Sequence, residues 1–151
     1  MRDVAGYEGD YAVDDSGNVF SFKFGKCKKL KAALDKRGYY TVSLCKDNKS
    51  RTYTVHRLLA QAFLENYSED LHVDHIDGNK QNNKLQNLRM VTGQQNQWNR
   101  KTAKGYCWNK RDKKWIAKIV LNRKNKHLGY FDTEQEARDA YLAAKKIYHV
   151  I

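Results

Sequence analysis

A polar stretch rich in Asn and Gln, residues 71–100, lies between two blocks of regular apolar patterning. A chain of 151 residues interrupted in this way is expected to divide its core among small modules. Ahead of the polar stretch, the patterning predicts short strands at Tyr11 to Val13, Val19 to Phe22, Lys28 to Ala33 and Tyr39 to Cys45. Asp15–Ser16–Gly17–Asn18 and Lys46–Asp47–Asn48–Lys49 supply turn chemistry between some of them. Arg51 to Thr54 reads as a further strand running into a helix over residues 55–64, with Leu58, Leu59, Ala62 and Phe63 on one face.

Within the polar stretch, a short strand is expected to end near His75, followed by a tight turn at Asp77–Gly78–Asn79–Lys80. A second strand near Arg89 to Val91 then leads into a helix capped by Thr92, with Gln95 three residues on as a capping box requires. Beyond a short basic linker, Arg100 to Ala103, the tail predicts strands at Gly105 to Asn109, Lys114 to Leu121 and Lys126 to Phe131. A helix from Thr133 follows, with Thr133 and Glu136 as a second capping box and Ala137, Ala140, Tyr141, Ala144, Ile147 and Tyr148 as its apolar stripe. Alternation along the middle strand turns Trp115, Ala117, Ile119 and Leu121 towards that helix and Ile116, Lys118 and Val120 away from it.

Lys plus Arg outnumber Asp plus Glu by 29 to 17, a formal net charge of +12 that favours a polyanionic partner. Ten Tyr and three Trp suit nucleic-acid surfaces as well as cores. No long amphipathic basic helix supports a membrane surface, and no apolar run approaches a transmembrane span. The first residues lack the apolar stretch of a signal peptide, so a soluble, cytoplasmic and reduced protein is expected. Cys27, Cys45 and Cys107 form no CxxC pair and are read as buried small hydrophobes, not as a zinc knuckle or disulfide framework.

Chemistry concentrates between Asp74 and Asn96. Cleaving a phosphodiester requires an activated water, a cation on the phosphate and a proton acceptor. Asp74 offers a carboxylate for a divalent metal, and the imidazole of His75, a side chain whose ordinary pKa is about 6.5, can accept a proton at neutral pH. Adjacent strand residues point to opposite faces, so the two serve one site only where the strand is distorted or curves into its loop. Asn87 offers an amide that can bond to His75 and fix its tautomer, and Asn96, one turn into the predicted helix, can complete the metal site. Asp77, Asn79, Asn82 and Asn83 read as loop-shaping residues, and His56 as structural or near DNA. His72, His127 and His149 carry no pattern that assigns them.

At these residues, VHRLLAQAF followed by VDHIDGNKQNNKLQNLRMVTGQQNQWNR, the sequence resembles the HNH homing endonucleases of phages and introns, over residues 55–100. The resemblance implies a ββα-metal core with His75 as general base, Asn87 as its orienting partner and Asp74 and Asn96 as metal ligands. Many relatives have His at the third motif position. The Asn96 found here resembles the H-N-N subset, whose oxygen ligands suit Mg²⁺ or Mn²⁺ better than zinc or nickel. GYEGDYAVDDSGNVFSF resembles a short module at the front of these phage enzymes, a small sheet that contributes to DNA contact.

The tail, YCWNKRDKKWIAKIVL and KHLGYFDTEQEARDAYLAAKKIYHV, resembles the AP2 DNA-binding domain, whose three-stranded sheet enters the major groove. The outward face is less basic than in plant members. Lys110, Arg111, Lys113, Lys114, Lys118, Arg123, Lys124 and Lys126 are therefore expected to contact mainly phosphates.

The sequence thus predicts an α+β protein: a small N-terminal antiparallel sheet (residues 1–54), a ββα-metal HNH core (55–100) and a C-terminal three-stranded sheet plus helix (104–151). The expected activity is metal-dependent hydrolysis of double-stranded DNA, with no membrane and no obligate protein partner. One site per chain and no dimerisation helix point to a monomeric nickase. A catalytically silent, sequence-specific DNA-binding regulator is the alternative, and an RNA-binding or RNA-cutting protein fits the charge equally well.

Overall fold

The computed structural model describes residues 1–100 and 103–150 as two compact units, Met1–Gly93 and Gln94–Ile151. Lys101 and Thr102 of the expected linker, and Ile151, lie outside the described residues.

In the first unit, β1 (Arg2–Asp3), β2 (Tyr11–Val13), β3 (Val19–Ser21) and β4 (Lys28–Lys29) form an antiparallel sheet in sequential order. The β2–β3 turn is tied by Asp14, whose carboxylate accepts from the backbone N–H groups of Ser16 (3.0 Å) and Asn18 (2.8 Å) and from the Asn18 amide (2.8 Å). Gly17 in this turn has φ +82°, a conformation costly for residues with a Cβ. A second sheet joins β5 (Ala33–Leu34), β6 (Tyr40–Lys46) and β7 (Lys49–Thr54) as a meander. Asp47 and Asn48 both take positive φ, the geometry that a two-residue hairpin needs to match strand twist.

The single strand expected over Lys28 to Ala33 is two short strands in different sheets. Leu30 and Ala32 both pack against the core, which produces the strand-like alternation. The backbone ladder meanwhile changes partner, from β3 to β6. The cysteine expectation is also corrected, because Cys27, Cys45 and Cys107 are all exposed. Cys45 follows the fully buried Leu44 on β6, and strand alternation turns it outward.

Helix α1 (Val55–Phe63) packs Val55, Leu58 and Leu59 into one cluster with Val13 and Val19 of the first sheet and Val42 and Leu44 of the second. An antiparallel ribbon, β8 (His72–His75) and β9 (Leu88–Val91), adds Leu88 to that cluster. The same core therefore anchors both sheets, the helix and the ribbon that carries Asp74 and His75.

Helix α2 (Gly93–Trp98) leads from the first unit into the second. There β10 (Tyr106–Asn109), β11 (Lys114–Leu121) and β12 (Lys124–Phe131) form an antiparallel sheet backed by α3 (Glu134–Tyr148). Thr133 and Glu136 form the expected capping box: Thr133 Oγ1 accepts from the Glu136 N–H (3.2 Å), and Glu136 Oε2 accepts from the Thr133 N–H (3.1 Å). Burial along β11 follows the alternation read from the sequence: Ala117 and Ile119 are buried, and Lys118 and Val120 are exposed. The stripe on α3 holds for Ala137, Tyr141 and Ala144 but not for Ile147 and Tyr148, which are 68% and 37% exposed in the helix's last turn.

A bulge interrupts β11–β12 pairing, with Ala117 opposite Gly129 and Lys118 opposite His127. Gly129 takes φ +144° there, and a Cβ would come within 3.2 Å of the Phe131 ring. The LGYF segment is thus shaped around a position that only glycine fills without strain.

Candidate active site

Asp74 and His75 occupy the end of β8, with register partners Arg89 and Leu88 on β9. Both are buried, at 6% and 5% exposure, so the ribbon is covered where the carboxylate and the imidazole sit. Asp74 Oδ2 accepts a hydrogen bond from Arg89 Nε (3.0 Å) and pairs with a second guanidinium nitrogen at 2.9 Å. Charged hydrogen bonds of this type hold a carboxylate in one orientation. Replacing Arg89 with Met should lower unfolding stability by about 2 kcal/mol, because a buried carboxylate loses its guanidinium donors. Chemical denaturation of the two proteins checks this, and equal midpoints would show the ion pair to be energetically idle.

Three side chains of the same unit lie against His75. Its Nε2 lies 2.9 Å from Asn83 Oδ1, its ring meets the His56 ring edge-on with centroids 5.1 Å apart, and Tyr39 lies beyond at 6.1 Å. His56 also packs on Tyr39 at 4.8 Å. Burial, and then the neighbouring His75, pull the His56 pKa down to about 4, so it stays neutral near neutral pH. Where the sequence reads His56 as structural or near DNA, the fold brings it to the border of the site. Its position at the first turn of α1 gives no signal of this, because the contact is made only by tertiary packing.

The loop between β8 and β9 is organised by Asp77. Its carboxylate accepts from the Asn82 amide (2.7 Å), the Asn79 backbone N–H (2.7 Å) and the Asn87 amide (3.0 Å). Those bonds, in that order of weight, hold its pKa down at about 2. Asn87, on a single 3₁₀ turn (Leu85–Asn87), donates both amide hydrogens, to Asp77 Oδ1 and to the Asn82 carbonyl (2.8 Å). Its Oδ1 accepts from the Asp77 N–H (3.1 Å). The loop-shaping reading of Asp77, Asn79 and Asn82 agrees with these bonds, whereas Asn83 also reaches His75. Asn96 lies half-buried on α2, within the Gln94–Ile151 unit.

Among the described residues, no three or more His, Cys, Asp or Glu side chains gather as a metal group. A thiolate or imidazole-rich zinc centre does not fit such a donor set. The Asp74 carboxylate is a hard oxygen donor of the kind that suits a divalent cation.

In the second unit, Lys110, Arg111, Lys113, Lys118, Arg123, Lys124 and Lys126 are exposed, and Lys114 is half-buried. Several of them already have partners. Lys114 pairs with Asp132, Arg111 lies 3.6 Å from Asp112, and Lys126 Nζ donates to Tyr148 Oη (2.5 Å) over the Tyr148 ring.

A carboxylate and an imidazole at the mouth of an Asn-braced loop agree with what comparison with known proteins finds. Residues 53–98 match the family model of the HNH endonuclease, and residues 2–45 match the NUMOD4 motif. The chain therefore carries an HNH endonuclease domain behind a NUMOD4 motif. Among its relatives are the DNA endonuclease I-HmuI of Bacillus phage SP01, 50% identical over 91 residues, and the H-N-H endonuclease F-TflII of Escherichia phage T5, 37% identical over 87. These matches cover 60% and 56% of this chain, and 51% and 44% of the relatives. The solved structure of DNA binding and cleavage by the HNH homing endonuclease I-HmuI matches with a TM-score of 0.61 at 49% identity, over 65% of this chain and 55% of that one. The chain thus spans about half the length of the curated relatives it matches. No helix among the described residues is long and apolar enough to cross a membrane.

Proposed function

We propose that this protein is a DNA endonuclease that hydrolyses phosphodiester bonds, with His75 as general base. The carrying observation is the buried His75 beside Asp74 within the HNH domain, with Nε2 held 2.9 Å from an amide oxygen. An amide oxygen can only accept, so Nε2 carries the proton and the basic lone pair lies on Nδ1. His75 takes the proton of the attacking water, and Asp77 and Asn87 keep its loop in shape.

Asp74 would hold a divalent cation, Mg²⁺ or Mn²⁺, and the resemblance assigns the second ligand position to Asn96. When bound, that cation supplies Lewis-acid stabilisation of the phosphate and the departing oxygen. The products expected from the resemblance are 3′-hydroxyl and 5′-phosphate ends. One site per chain favours a monomer that nicks one strand. Residues 104–151 are read as an AP2-like module whose exposed lysines and arginines follow the DNA backbone, and residues 1–54 as a further DNA-contacting module.

Incubating the protein with supercoiled plasmid in Mg²⁺, in Mn²⁺ and in EDTA tests the reading. Conversion to open circles in either metal, abolished by EDTA, is expected. Metal-independent binding without relaxation of any DNA, the source genome included, would favour a silent regulator, and cleavage confined to RNA would favour a ribonuclease.

The tail makes a separate prediction. Replacing Lys118, Arg123 and Lys124 together with Gln should flatten the salt dependence of DNA binding by about 0.9 in log–log slope for each phosphate that is no longer neutralised. Fluorescence anisotropy at several salt concentrations measures it. An unchanged slope would remove these residues from the DNA-binding surface.

A further inference from the structure

We infer that Asn83 is a positioning residue for catalysis: its side-chain oxygen selects the His75 tautomer, and the N-terminal hairpin braces it from behind. The inference rests on the nuclease reading with His75 as base.

Asn83 is buried at 7% exposure, and its Oδ1 lies 2.9 Å from His75 Nε2. A neutral imidazole chooses between two tautomers of similar energy, and an acceptor fixed at one nitrogen decides the choice. Held in this way, the ring presents its basic lone pair at Nδ1. The motif residue Asn87 is placed to act one step further back. Both of its amide hydrogens go to Asp77 and to the Asn82 carbonyl, so it stabilises the loop that delivers Asn83.

The brace comes from the NUMOD4 segment. A Cβ on Gly17 would lie 2.9 Å from Asn83 Cβ, closer than real Cβ atoms come, and 3.0 Å from the Asn83 carbonyl oxygen, tighter than nearly all real Cβ contacts. The Leu85 N–H donates to the Asp15 carbonyl at 2.9 Å in the same turn. The Asp15–Gly17 backbone therefore abuts the segment Asn83–Leu85 at both ends, and the bare glycine lets Asn83 sit where its oxygen meets His75. One physical chain of contact runs from hairpin turn to Asn83 to imidazole.

The test reads the tautomer directly. Long-range ¹H–¹⁵N spectra of the full chain at mildly alkaline pH, with the His75 signals assigned by a His75→Gln control, should show the Nε2–H pattern. In Asn83→Leu, which removes the acceptor at similar volume, His75 should relax to a mixture of tautomers. The single-turnover nicking rate should fall on the order of 10- to 100-fold while KM for DNA stays nearly constant. Asn83→Asp, which keeps an acceptor oxygen, should restore the Nε2–H pattern and recover much of the rate missing in the leucine variant. Should Asn83→Leu fail to fold by far-UV circular dichroism, Asn83→Ser, too short to reach the ring, is read in the same way. An unchanged Nε2–H pattern in the leucine or serine variant overturns the inference, as does failure of the aspartate to restore it. Wild-type protein that shows the pattern but nicks no DNA instead sinks the nuclease reading, and the catalytic role of Asn83 with it.

Discussion

Substitution of His75 by alanine is expected to lower single-turnover nicking on the order of 10²- to 10⁴-fold, the usual worth of a positioned general base. DNA affinity should survive, because the ring lies against Tyr39, His56 and Asn83 and offers the backbone of a duplex little to grip. The combination separates a catalytic role from a binding one: a filter or anisotropy assay should find the variant bound to DNA it no longer cuts. Loss of affinity in proportion to rate would place His75 in recognition instead.

Acidification should expose the second large effect. His56 is buried and neutral, with its pKa lowered to about 4 by desolvation first and His75 second. The unfolded chain binds a proton at the ordinary histidine pKa of about 6.5, so between those values the unfolded state holds more protons than the folded one. Stability from this group is therefore complete above pH 6.5 and is lost as pH falls towards 4, by about 3 kcal/mol over the interval. Urea unfolding at neutral pH and at about pH 4.5, repeated with His56→Phe, isolates it. The variant should lose less stability on acidification than the parent, and equal losses would assign the acid sensitivity elsewhere. Asp77 belongs to a lower window, since its contribution is present above about pH 4 and fades only as pH drops through about 2.

Much of this architecture is legible in the sequence because it is local. Turn residues at Asp15–Asn18 and Lys46–Lys49, the alternation of β11 and the Thr133–Glu136 box each act within a few positions, and each appears where the residues place it. The placement of Asp74 and His75 on one ribbon and of Asn87 in its loop is readable for the same reason, but the amide expected at His75 from Asn87 comes from Asn83, while Asn87 bonds to Asp77 and the Asn82 carbonyl. The partners that define their chemistry are not. Asn82 and Asn83 are indistinguishable in a polar run, yet one donates to Asp77 and the other faces the imidazole. Arg89 becomes the mate of Asp74 only through the β8–β9 register. His56 comes to the site from a helix 19 positions earlier in the chain than His75, and nothing short of tertiary packing announces that. The departure at Lys28 to Ala33 has the same origin: side-chain alternation reports which residues face a core, not which strand the backbone pairs with.

The fit of Gly17 against Asn83 bears on how a NUMOD4 segment and an HNH segment can be recombined. A front module and a nuclease motif joined from different parents would share a seam that tolerates neither a side chain at Gly17 nor a displaced hairpin tip. A chimera designed with its junction in the strand before α1 would sever that seam while keeping every motif residue. The stretch to transfer whole is residues 2–98, from the start of the NUMOD4 match to the end of the HNH match, with grafting points placed outside it.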